Sequence, residues 1–508
     1  MSSLYNFYTP QLEKIHSGKV RDSFRVDEKH RLIVVTDRIS CFDHLLLTPV
    51  PDKGAVLNGI AAFWFEKLRR ICPSHFVRKI DPAASLVREA VPIKIEMVVR
   101  GYLTGSAWRA YEQGKRVFSG TELPDGLTRN QRFSTPVLTP TTKEASDREI
   151  SPEEIVSTGL CSKEMYEAMA ETAKRLFAAG TIELASRGII LVDTKYEFGR
   201  IDGQLALIDE VHTPDSSRFW YSAGYDENPV KVRSLDKEFV REWLLEHRVG
   251  ENIQLELPPE VVEEARKRYL EIHQLITGRP CETITEQNEQ RESPADRLRR
   301  NLVSAGLIKD GYVAIIMGSR ADLFFVEKIA KIVESYGIYA DVRVVSAHKN
   351  GERIREMAEE YNSSCEPGSA IAVAGKSNGL GGALAANLNI PVFNCPPFKD
   401  DQDMSINVFS SLMMPSKVPA ATIIGSETGA HAALRALNLR RLRERFSKEI
   451  LLMKETLSED DTRIRSGRMK NKIDETSTLT RIAPVAEQQA FDRSNDENFV
   501  PSKYNAGG

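Results

Sequence analysis

The chain has 508 residues, of which 41% are hydrophobic and 28% are charged, and its formal net charge is -3. This length exceeds what one hydrophobic core can organise, and the composition is typical of a globular enzyme. The slight negative charge argues against a general nucleic-acid binder, and no apolar run approaches the ~20 residues that span a bilayer. The sequence therefore predicts a multidomain protein without nucleic-acid or membrane partners.

Cysteine usage and the N-terminal residues indicate the compartment. The six cysteines are scattered and form no CxxC pair, which favours a reducing environment over a disulfide framework or a zinc site. The N-terminal MSSLYNFYTP lacks the basic region and apolar core of a secretory signal. We therefore expect a cytoplasmic protein.

Residues 1–276 mix apolar strands with long helices. RLIVVTD and GIILVDT are typical of buried strands, whereas NGIAAFWFEKLRRI, SKEMYEAMAETAKRLFAAGTIELASRG and PPEVVEEARKRYLEIHQLITG have helical periodicity. This mixture predicts an α+β domain. Residues 277–310 turn polar, which predicts a linker that carries at most a short helix.

The charged segment DTKYEFGRIDGQLALIDE, residues 193–210, raises the first question about function. On a strand, Asp193, Lys195 and Glu197 share one face, and the apolar residues between them take the other. A hairpin through GRIDG brings Asp209 back towards Glu197. Two carboxylates beside a lysine suit magnesium, which completes its coordination with water and phosphate oxygens. A salt-bridged sheet surface explains the same residues equally well.

Further polar clusters accompany this strand. In SGKVRDSF, Gly18 is followed closely by the cations Lys19 and Arg21. Such a turn either covers nucleotide phosphates or is an ordinary basic hairpin. Other clusters, each beside an apolar segment, are TDRISCFD, VRGYLTGSAW, TPTTKEASDREIS and DEVHTPDSSRFW. In this order the motifs resemble those of phosphoribosylaminoimidazole-succinocarboxamide (SAICAR) synthetase over the whole first domain.

The resemblance implies an ATP-grasp-like α+β fold that uses ATP and Mg²⁺. It places Gly18, Lys19 and Arg21 in a loop that covers the ATP phosphates. It also implies that the carboxylates of Glu197 and Asp209 bind magnesium and belong to the ATP site. It implies that Arg100, Ser106 and Arg218 hold the ribose phosphate of the imidazole substrate. The complete set implied for the imidazole substrate and aspartate is Asp43, Arg100, Ser106, Lys143, Asp147, Asp193, Lys195, Asp215, Ser216 and Arg218, with Lys195 also catalytic.

The implied reaction activates a carboxylate. ATP converts the carboxyl group of carboxylated 5-aminoimidazole ribonucleotide (CAIR) to an acyl phosphate, and the amine of L-aspartate displaces the phosphate to give SAICAR, ADP and phosphate. Magnesium and lysines offset the charge during phosphoryl transfer. A kinase, which would release a phosphorylated product without aspartate, is the alternative enzyme class, and a degenerate scaffold is the non-enzymatic alternative.

Residues 311–457 alternate short apolar strands with helices. The strand-like segments are YVAIIMGS, YADVRVVSA, SAIAVAGKSNG, IPVFNCPP and AATIIGS. They predict an α/β doubly wound, Rossmann-like parallel sheet with a ligand beyond the carboxyl ends of its strands. The final helix, RRLRERFSKEILLMKETL, is a solvated face or an interaction surface. Residues 458–508 have little periodicity, which predicts a disordered tail.

The loops that follow these strands are rich in small residues. They are MGSRADL, SAHKNG, AGKSNGLGG and NCPPF. Such loops open onto helix N-termini and can bind an anion through backbone amides. Ser319 and Asp322 could hold a phosphate and a ribose hydroxyl. A lone histidine is more often structural than catalytic, but His348 follows a strand at the edge where a ligand is expected.

These loops resemble the carboxylase of 5-aminoimidazole ribonucleotide (AIR), and the order of the two halves resembles the animal bifunctional enzyme of purine biosynthesis. The resemblance implies carboxylation of AIR by CO₂ without an organic cofactor, proton transfer by His348, and a homo-octamer built on this domain. AHK and SNGLG are typical of the version that uses CO₂ directly, whereas KDDQDMS after Pro397 departs from the family pattern. The implied residues are Ser319, Asp322, Ser346, His348 and Lys349 facing AIR, of which His348 and Lys349 are catalytic, and Ser377, Asn378 and Gly379 around CO₂.

Overall fold

The computed structural model describes residues 2–42, 44–143, 148–235, 237–247, 255–282, 292–376 and 378–465. By their contacts the described residues form two compact units. Unit 1 is drawn from residues 1–7 and 12–307, and unit 2 from residues 8–11 and 308–508. No helix in the described part of the chain combines the length and the apolar character needed to cross a membrane.

Unit 1 alternates strands with helices along the chain. Its strands are β1 (Glu13–Ser17), β2 (Arg21–Arg25), β3 (His30–Val35), β4 (Ser40–Cys41), β5 (His44–Leu45), β6 (Phe76–Asp81), β7 (Ala84–Arg88), β8 (Val91–Tyr102), β9 (Val117–Phe118), β10 (Thr121–Glu122), β11 (Arg132–Leu138), β12 (Thr141–Thr142), β13 (Ile189–Ile201), β14 (Gln204–Ile208) and β15 (Ser217–Tyr221). Its helices are α1 (Lys53–Leu68), α2 (Gly105–Glu112), α3 (Pro152–Ser157), α4 (Lys163–Ala185), α5 (Glu238–Glu246), α6 (Pro259–Thr277) and α7 (Pro294–Ser304).

Two antiparallel sheets organise unit 1. One has the strand order β1-β2-β3-β7-β6, and the other has the order β11-β8-β13-β14, with β12 added on β8 and β15 on β13. Helix α4 packs on β13 and β8, and α1 packs on α6 and β3. The core between them is apolar and includes the fully buried Trp64, Tyr196 and Phe198. The α+β prediction for this half is confirmed.

The long strand β13 and its hairpin follow the predicted alternation. Tyr196 and Phe198 are buried in the core, while Asp193, Lys195 and Glu197 face cavities on the opposite side. β13 pairs with β14 in antiparallel register, with Glu197 opposite Ile208. The turn uses Asp202 and Gly203, both at positive φ (51° and 80°), as two-residue hairpin turns require. The predicted hairpin is confirmed.

Part of the predicted linker is a folded helix of unit 1. Helix α7 begins after Ser293, whose side chain accepts a hydrogen bond from the Asp296 amide, and it has Pro294 in its first turn. Arg297 pairs with the buried Asp81 at 3.1 Å, and Asn301 donates to the same carboxylate at 2.7 Å. These contacts fix α7 against β6.

Unit 2 is a parallel sheet covered by helices on both faces. Its strands are β16 (Tyr312–Met317), β17 (Tyr339–Val344), β18 (Gly368–Val373), β19 (Val392–Asn394) and β20 (Ala421–Thr422), in the order β17-β16-β18-β19-β20. Its helices are α8 (Leu323–Ser335), α9 (Glu352–Asn362), α10 (Gly379–Ala385), α11 (Asp401–Leu412), α12 (Ser426–Ala436) and α13 (Arg440–Arg465). The strand pairs are parallel, which confirms the predicted parallel sheet.

The chain order of the strands reverses beside β16, because β17 lies on one side of it and β18 on the other. In sheets of this kind the crevice beyond the carboxyl ends at the reversal is where ligands bind. The loops that follow β16, β17 and β18 carry Ser319, His348 and Asn378. The fold therefore places these three predicted carboxylase residues at the crevice.

The last helix corrects the predicted start of the disordered tail. α13 runs to Arg465, past the predicted boundary at Leu457. Its final turns contain ion pairs between residues four apart, Arg463 with Glu459 at 3.5 Å and Arg465 with Asp461 at 3.1 Å. Such pairs favour helix in a segment with little apolar periodicity. The remainder of the predicted tail, residues 466–508, lies outside the described residues.

Candidate active sites

The loop between β1 and β2 is held in a closed turn over one cavity. The Gly18 amide donates to the Arg21 carbonyl at 2.7 Å. The buried Arg38 donates to the carbonyls of Gly18 (3.0 Å) and Lys19 (3.1 Å) and pairs with Asp22 at 2.8 Å. Arg38 was missed as a site residue, although it lies in the TDRISCFD cluster. Asp43 of the same cluster lies outside the described residues.

The first cavity, cavity A, has a volume of about 270 Å³ and is bordered by Gly18, Lys19, Arg21, Lys143, Glu197 and Asp209. All five residues predicted to bind ATP therefore line one space. With Arg31 and Arg88, five cationic side chains surround these two carboxylates, which suits a polyanion that arrives with a divalent cation. His75 also borders cavity A, and burial lowers the pKa of its imidazole to about 4, so the ring is neutral near pH 7.

The carboxylates of cavity A are close enough to influence each other. Burial, and then the nearby Asp209 charge, raise the pKa of Glu197 to about 7. Asp209 adopts a positive φ of 63° after β14, and Arg21 pairs with it at 3.3 Å and also with Glu210. Lys143 forms an ion pair with Glu197. A further cation bound between Glu197 and Asp209 would lower the free-energy cost of keeping both carboxylates ionised.

Magnesium fits this donor set. Within the described residues no group of three or more His, Cys, Asp and Glu side chains is arranged to hold a metal by itself. Mg²⁺ is commonly bound through one or two carboxylates, with phosphate and water oxygens as its other ligands. Glu197 and Asp209 would hold the ion, which would supply charge neutralisation for the phosphates.

Glu96 is a site residue that the sequence analysis missed. It lies on β8 directly opposite Glu197 on β13, and it is only 4% exposed. Lys195 pairs with Glu96 at 2.7 Å and lies 3.9 Å from Glu197. Although burial acts to lower it, these carboxylates hold the pKa of Lys195 above its usual value. A buried glutamate within the apolar strand VPIKIEMVVRGY was the available signal.

The second cavity, cavity B, has a volume of about 310 Å³ and is bordered by Arg100, Ser106, Asp193, Lys195, Asp215 and Arg218. With Ser216, which also borders it, seven of the residues predicted for the imidazole substrate and aspartate come together. Lys195 borders cavity B, whereas Glu197 borders cavity A. These residues are two apart on one face of β13, a separation of about 7 Å. The two cavities therefore meet along this strand.

One end of cavity B is a cationic pocket. The buried Asp193 accepts from Arg218 at 2.6 Å and from Arg100 at 3.3 Å. Ser106 lies in the first turn of α2, which begins at Gly105. A Cβ added at Gly105 would lie 2.6 Å from Arg218 Nη2, and its φ is 59°, so glycine is required for the guanidinium to reach this place. Two guanidinium groups and a hydroxyl match a phosphate monoester.

The other end of cavity B contains Asp215. Its carboxylate pairs with the fully buried Lys53 at 2.7 Å and accepts a hydrogen bond from the Tyr269 hydroxyl at 3.2 Å. Burial acts to raise the pKa of Asp215, but Lys53 and Lys237 hold it below its usual value. The Ser216 carbonyl accepts from the Lys195 amide at 3.1 Å. Lys53, which begins α1, was not predicted.

Lys143 is a predicted residue that the structure places away from cavity B. Lys143 was expected on the aspartate side, and it borders cavity A and pairs with Glu197. Asp147, expected beside it, lies outside the described residues. The ion pair with Glu197 therefore places Lys143 in cavity A.

The crevice of unit 2 brings several predicted residues to the carboxyl edge of the sheet. Ser319 follows β16 and accepts from the Ala321 amide at 3.3 Å. Burial raises the pKa of Asp322, which precedes α8. The Ser346 amide donates to Asn350 at 2.8 Å, and this bond closes the turn that carries the exposed His348 and Lys349.

His348 and Gly379 are neighbours. A Cβ added at Gly379 would lie 3.2 Å from His348 Cε1, so the imidazole reaches the start of α10. Asn378, next to Gly379, is buried and donates to Ser411 at 2.7 Å. Ser377 lies outside the described residues. The departing segment KDDQDMS leads into α11, which carries Ser411.

Comparison with known proteins divides the chain in the same way. The family profile of SAICAR synthetase matches residues 14–257. The family profile of AIR carboxylase matches residues 312–459. Each match lies within one of the two units.

Individual proteins are similar to each half. The phosphoribosylaminoimidazole-succinocarboxamide synthase of Azobacteroides pseudotrichonymphae is 44% identical over 281 residues, which are 54% of this chain and 87% of that protein. A structure of SAICAR synthase from Saccharomyces cerevisiae complexed with SAICAR is 34% identical, with a TM-score of 0.48, and the alignment covers 53% of this chain and 96% of that one. The structure of Treponema denticola PurE is 30% identical, with a TM-score of 0.29, over 30% of this chain and 98% of that one.

Proposed function

Because the chain belongs to the SAICAR synthetase family and carries an AIR carboxylase domain after it, we propose that it catalyses two consecutive steps of purine biosynthesis. Unit 2 carboxylates AIR with CO₂ to CAIR. Unit 1 then joins CAIR to L-aspartate at the expense of ATP. The observation that carries this proposal is the pair of adjoining cavities along β13, since one suits a nucleotide with its metal and the other a phosphorylated carboxylate.

In the ligase step, ATP occupies cavity A with its phosphates under the Gly18 turn. CAIR occupies cavity B with its ribose phosphate on Arg100, Ser106 and Arg218, so that its carboxylate lies near Lys195. Lys195 offsets the charge of that carboxylate and of the phosphoryl group that it accepts. Glu197 and Asp209 would hold the magnesium ion that accompanies ATP, and the ion would supply neutralisation of the phosphate charge.

The acyl phosphate then reacts with aspartate. The carboxylate carbon is electrophilic once phosphate is its leaving group, and the amine of aspartate attacks it. The carboxylates of aspartate need cationic partners, and Lys237 and Arg241, which also border cavity B, are such groups. The amide bond forms as the bond from carbon to the phosphate oxygen breaks, and the ammonium proton is released.

In the carboxylase step, the ring carbon of AIR adds to CO₂ and the ring then loses a proton. His348 lies beside the start of α10, where Asn378 and Gly379 border the CO₂ position. Its imidazole takes the proton from the ring carbon. Ser319 and Asp322 hold the phosphate and ribose of AIR at the carboxyl end of β16.

Assembly is a further part of the proposal. Several apolar side chains of unit 2 are exposed, among them Phe324 (69%), Phe409 (70%) and Met413 (88%). Exposed apolar groups in this number favour contact with other copies of the chain. We expect a homo-octamer centred on unit 2, in the cytoplasm, and light scattering of active protein should give eight times the mass of one chain, 57.0 kDa. A monomer in active protein would contradict the octamer.

The proposed function is tested with all substrates together. Purified protein is mixed with AIR, bicarbonate-buffered CO₂, ATP-Mg²⁺ and aspartate, and the products are followed by mass. We expect SAICAR and ADP in equal amounts, and no SAICAR when aspartate is left out. ADP that forms from CAIR and ATP at the same rate without aspartate would instead identify a kinase.

A further inference from the structure

A group of buried polar side chains connects α11 to the loop after β18. We propose that Asn407 and Ser411 are positioning residues of the carboxylation site, and that they hold this loop against His348. The inference rests on the proposed function of unit 2. These two side chains do not contact the substrate. They affect the reaction by fixing the position of the loop backbone.

The hydrogen bonds run from α11 to both sides of the loop. Asn407 Oδ1 accepts from the Lys376 amide at 2.5 Å, and its Nδ2 donates to the Pro397 carbonyl at 2.7 Å. Ser411 Oγ accepts from Asn378 Nδ2 at 2.7 Å and donates to the Asn407 carbonyl at 2.7 Å. Asn378, Asn407 and Ser411 are 5%, 2% and 0% exposed, so water does not compete for these bonds.

The loop is held in a conformation that needs support. Lys376 has a positive φ of 61°, which is unfavourable for a residue with a side chain. A Cβ added at Gly375 would lie 2.9 Å from Asn407 Nδ2, so this backbone lies directly against the amide. The bond from the Lys376 amide to Asn407 therefore compensates a strained residue at the place where the loop turns towards the crevice.

The held backbone leads directly to His348. Asn378 precedes Gly379, and a Cβ at Gly379 would lie 3.2 Å from His348 Cε1. Without the bond to Ser411, Asn378 Nδ2 loses its partner. Asn378 Oδ1 then keeps a long bond, 3.4 Å, from the Gly381 amide at the start of α10. A shift of about 1 Å near reacting groups can cost about 10²-fold in rate.

A purely structural role for these side chains is the competing explanation. Apolar side chains would fill the same space without the desolvation cost of amides and a hydroxyl. A fully bonded polar group is instead suited to fix the position of a loop, because its bonds are directional. If the role is only structural, variants of these residues should be less stable but should have a normal kcat per folded molecule. If the residues position the loop, the kcat per folded molecule should fall.

The test compares two adjacent serines of α11 in the full-length protein. The Oγ atoms of Ser410 and Ser411 both donate to the Asn407 carbonyl, at 3.0 Å and 2.7 Å, but the bond from Asn378 reaches Ser411. Ser411→Ala should lower the kcat of AIR carboxylation about 10- to 100-fold, with the KM for AIR changed less than about twofold because Ser319 and Asp322 are untouched. Ser410→Ala should match the wild type.

Further readouts separate positioning from loss of folded protein. The ligase rate with supplied CAIR, measured in the same sample, reports the amount of intact chain. The pH profile of kcat should be displaced in Ser411→Ala, whereas loss of folded protein lowers the whole profile without displacing it. Asn407→Leu removes the bond to Lys376 at nearly constant volume and should act in the same direction. If Ser411→Ala does not fold, Ser411→Cys replaces the hydroxyl with a weak hydrogen-bond acceptor at similar volume and tests the same bond.

The double variant Asn378→Ala/Ser411→Ala should be no slower than the slower single variant, because both changes break the same bond between Asn378 and Ser411. Normal kcat in Ser411→Ala and Asn407→Leu, or an equal loss in Ser410→Ala, overturns the inference. A wild type that makes SAICAR from CAIR but never carboxylates AIR instead refutes the proposed function of unit 2.

Discussion

Glu197→Gln should lower the kcat of the ligase reaction about 10²- to 10³-fold or more, a loss of the size seen when one transition-state electrostatic contact is removed. Glutamine keeps the shape of the side chain but cannot carry the charge that magnesium requires. It also leaves Lys143 and Lys195 with one carboxylate fewer between them. Asp209→Asn should act in the same direction, because Asp209 faces the same space.

The measurement is ADP release with supplied CAIR, aspartate and a range of Mg²⁺ concentrations. Carboxylation of AIR in the same sample should stay within about twofold of the wild type, since unit 2 is a compact unit with its own core. Glu183→Gln is a matched control, because Glu183 pairs with Lys67 and Arg187 outside both cavities. Ligase activity within tenfold of the wild type in Glu197→Gln would contradict the magnesium assignment. Loss of both activities in a folded protein would contradict independent sites.

His348→Asn should lower AIR carboxylation by about 10²- to 10⁴-fold, which is the usual contribution of a positioned general acid or base. Asparagine retains a polar side chain beside Gly379 but cannot accept and release a proton near neutral pH. Ligation of supplied CAIR should continue at the wild-type rate. His431→Asn is the matched control in unit 2, because His431 packs on the Tyr336 ring, 5.5 Å between centroids, away from the crevice.

The same assay identifies the carbon donor. With the wild type, the rate at fixed AIR should rise with dissolved CO₂, whereas a carbamate of AIR should not be turned over. Carbon dioxide is small and neutral and needs only a tight pocket with a few donors. Turnover of the carbamate with none from CO₂ would reverse this part of the proposal. Carboxylation that persists in His348→Asn would remove the histidine from its proposed role.

Local sequence patterns determined the parts of this protein that depend on neighbours along the chain. Alternation along residues 193–198 predicted which side chains face the cavities, because a strand repeats every two residues. Asp202 and Gly203 predicted a hairpin, because its turn needs residues that tolerate positive φ. Short apolar strands between helices predicted a parallel sheet with His348 at its carboxyl edge.

Other features depend on which distant segments meet, and local patterns do not carry that information. Glu96 became a site residue through the register of β8 against β13, and Lys53 through the packing that brings the start of α1 to Asp215. Asn407 and Ser411 follow the segment KDDQDMS, which departs from the expected family pattern, on the helix that this segment begins. Each is a polar side chain whose partner is far away in sequence. Only tertiary structure decided these contacts, because hydrogen bonds and ion pairs depend on separations of about 3 Å in space.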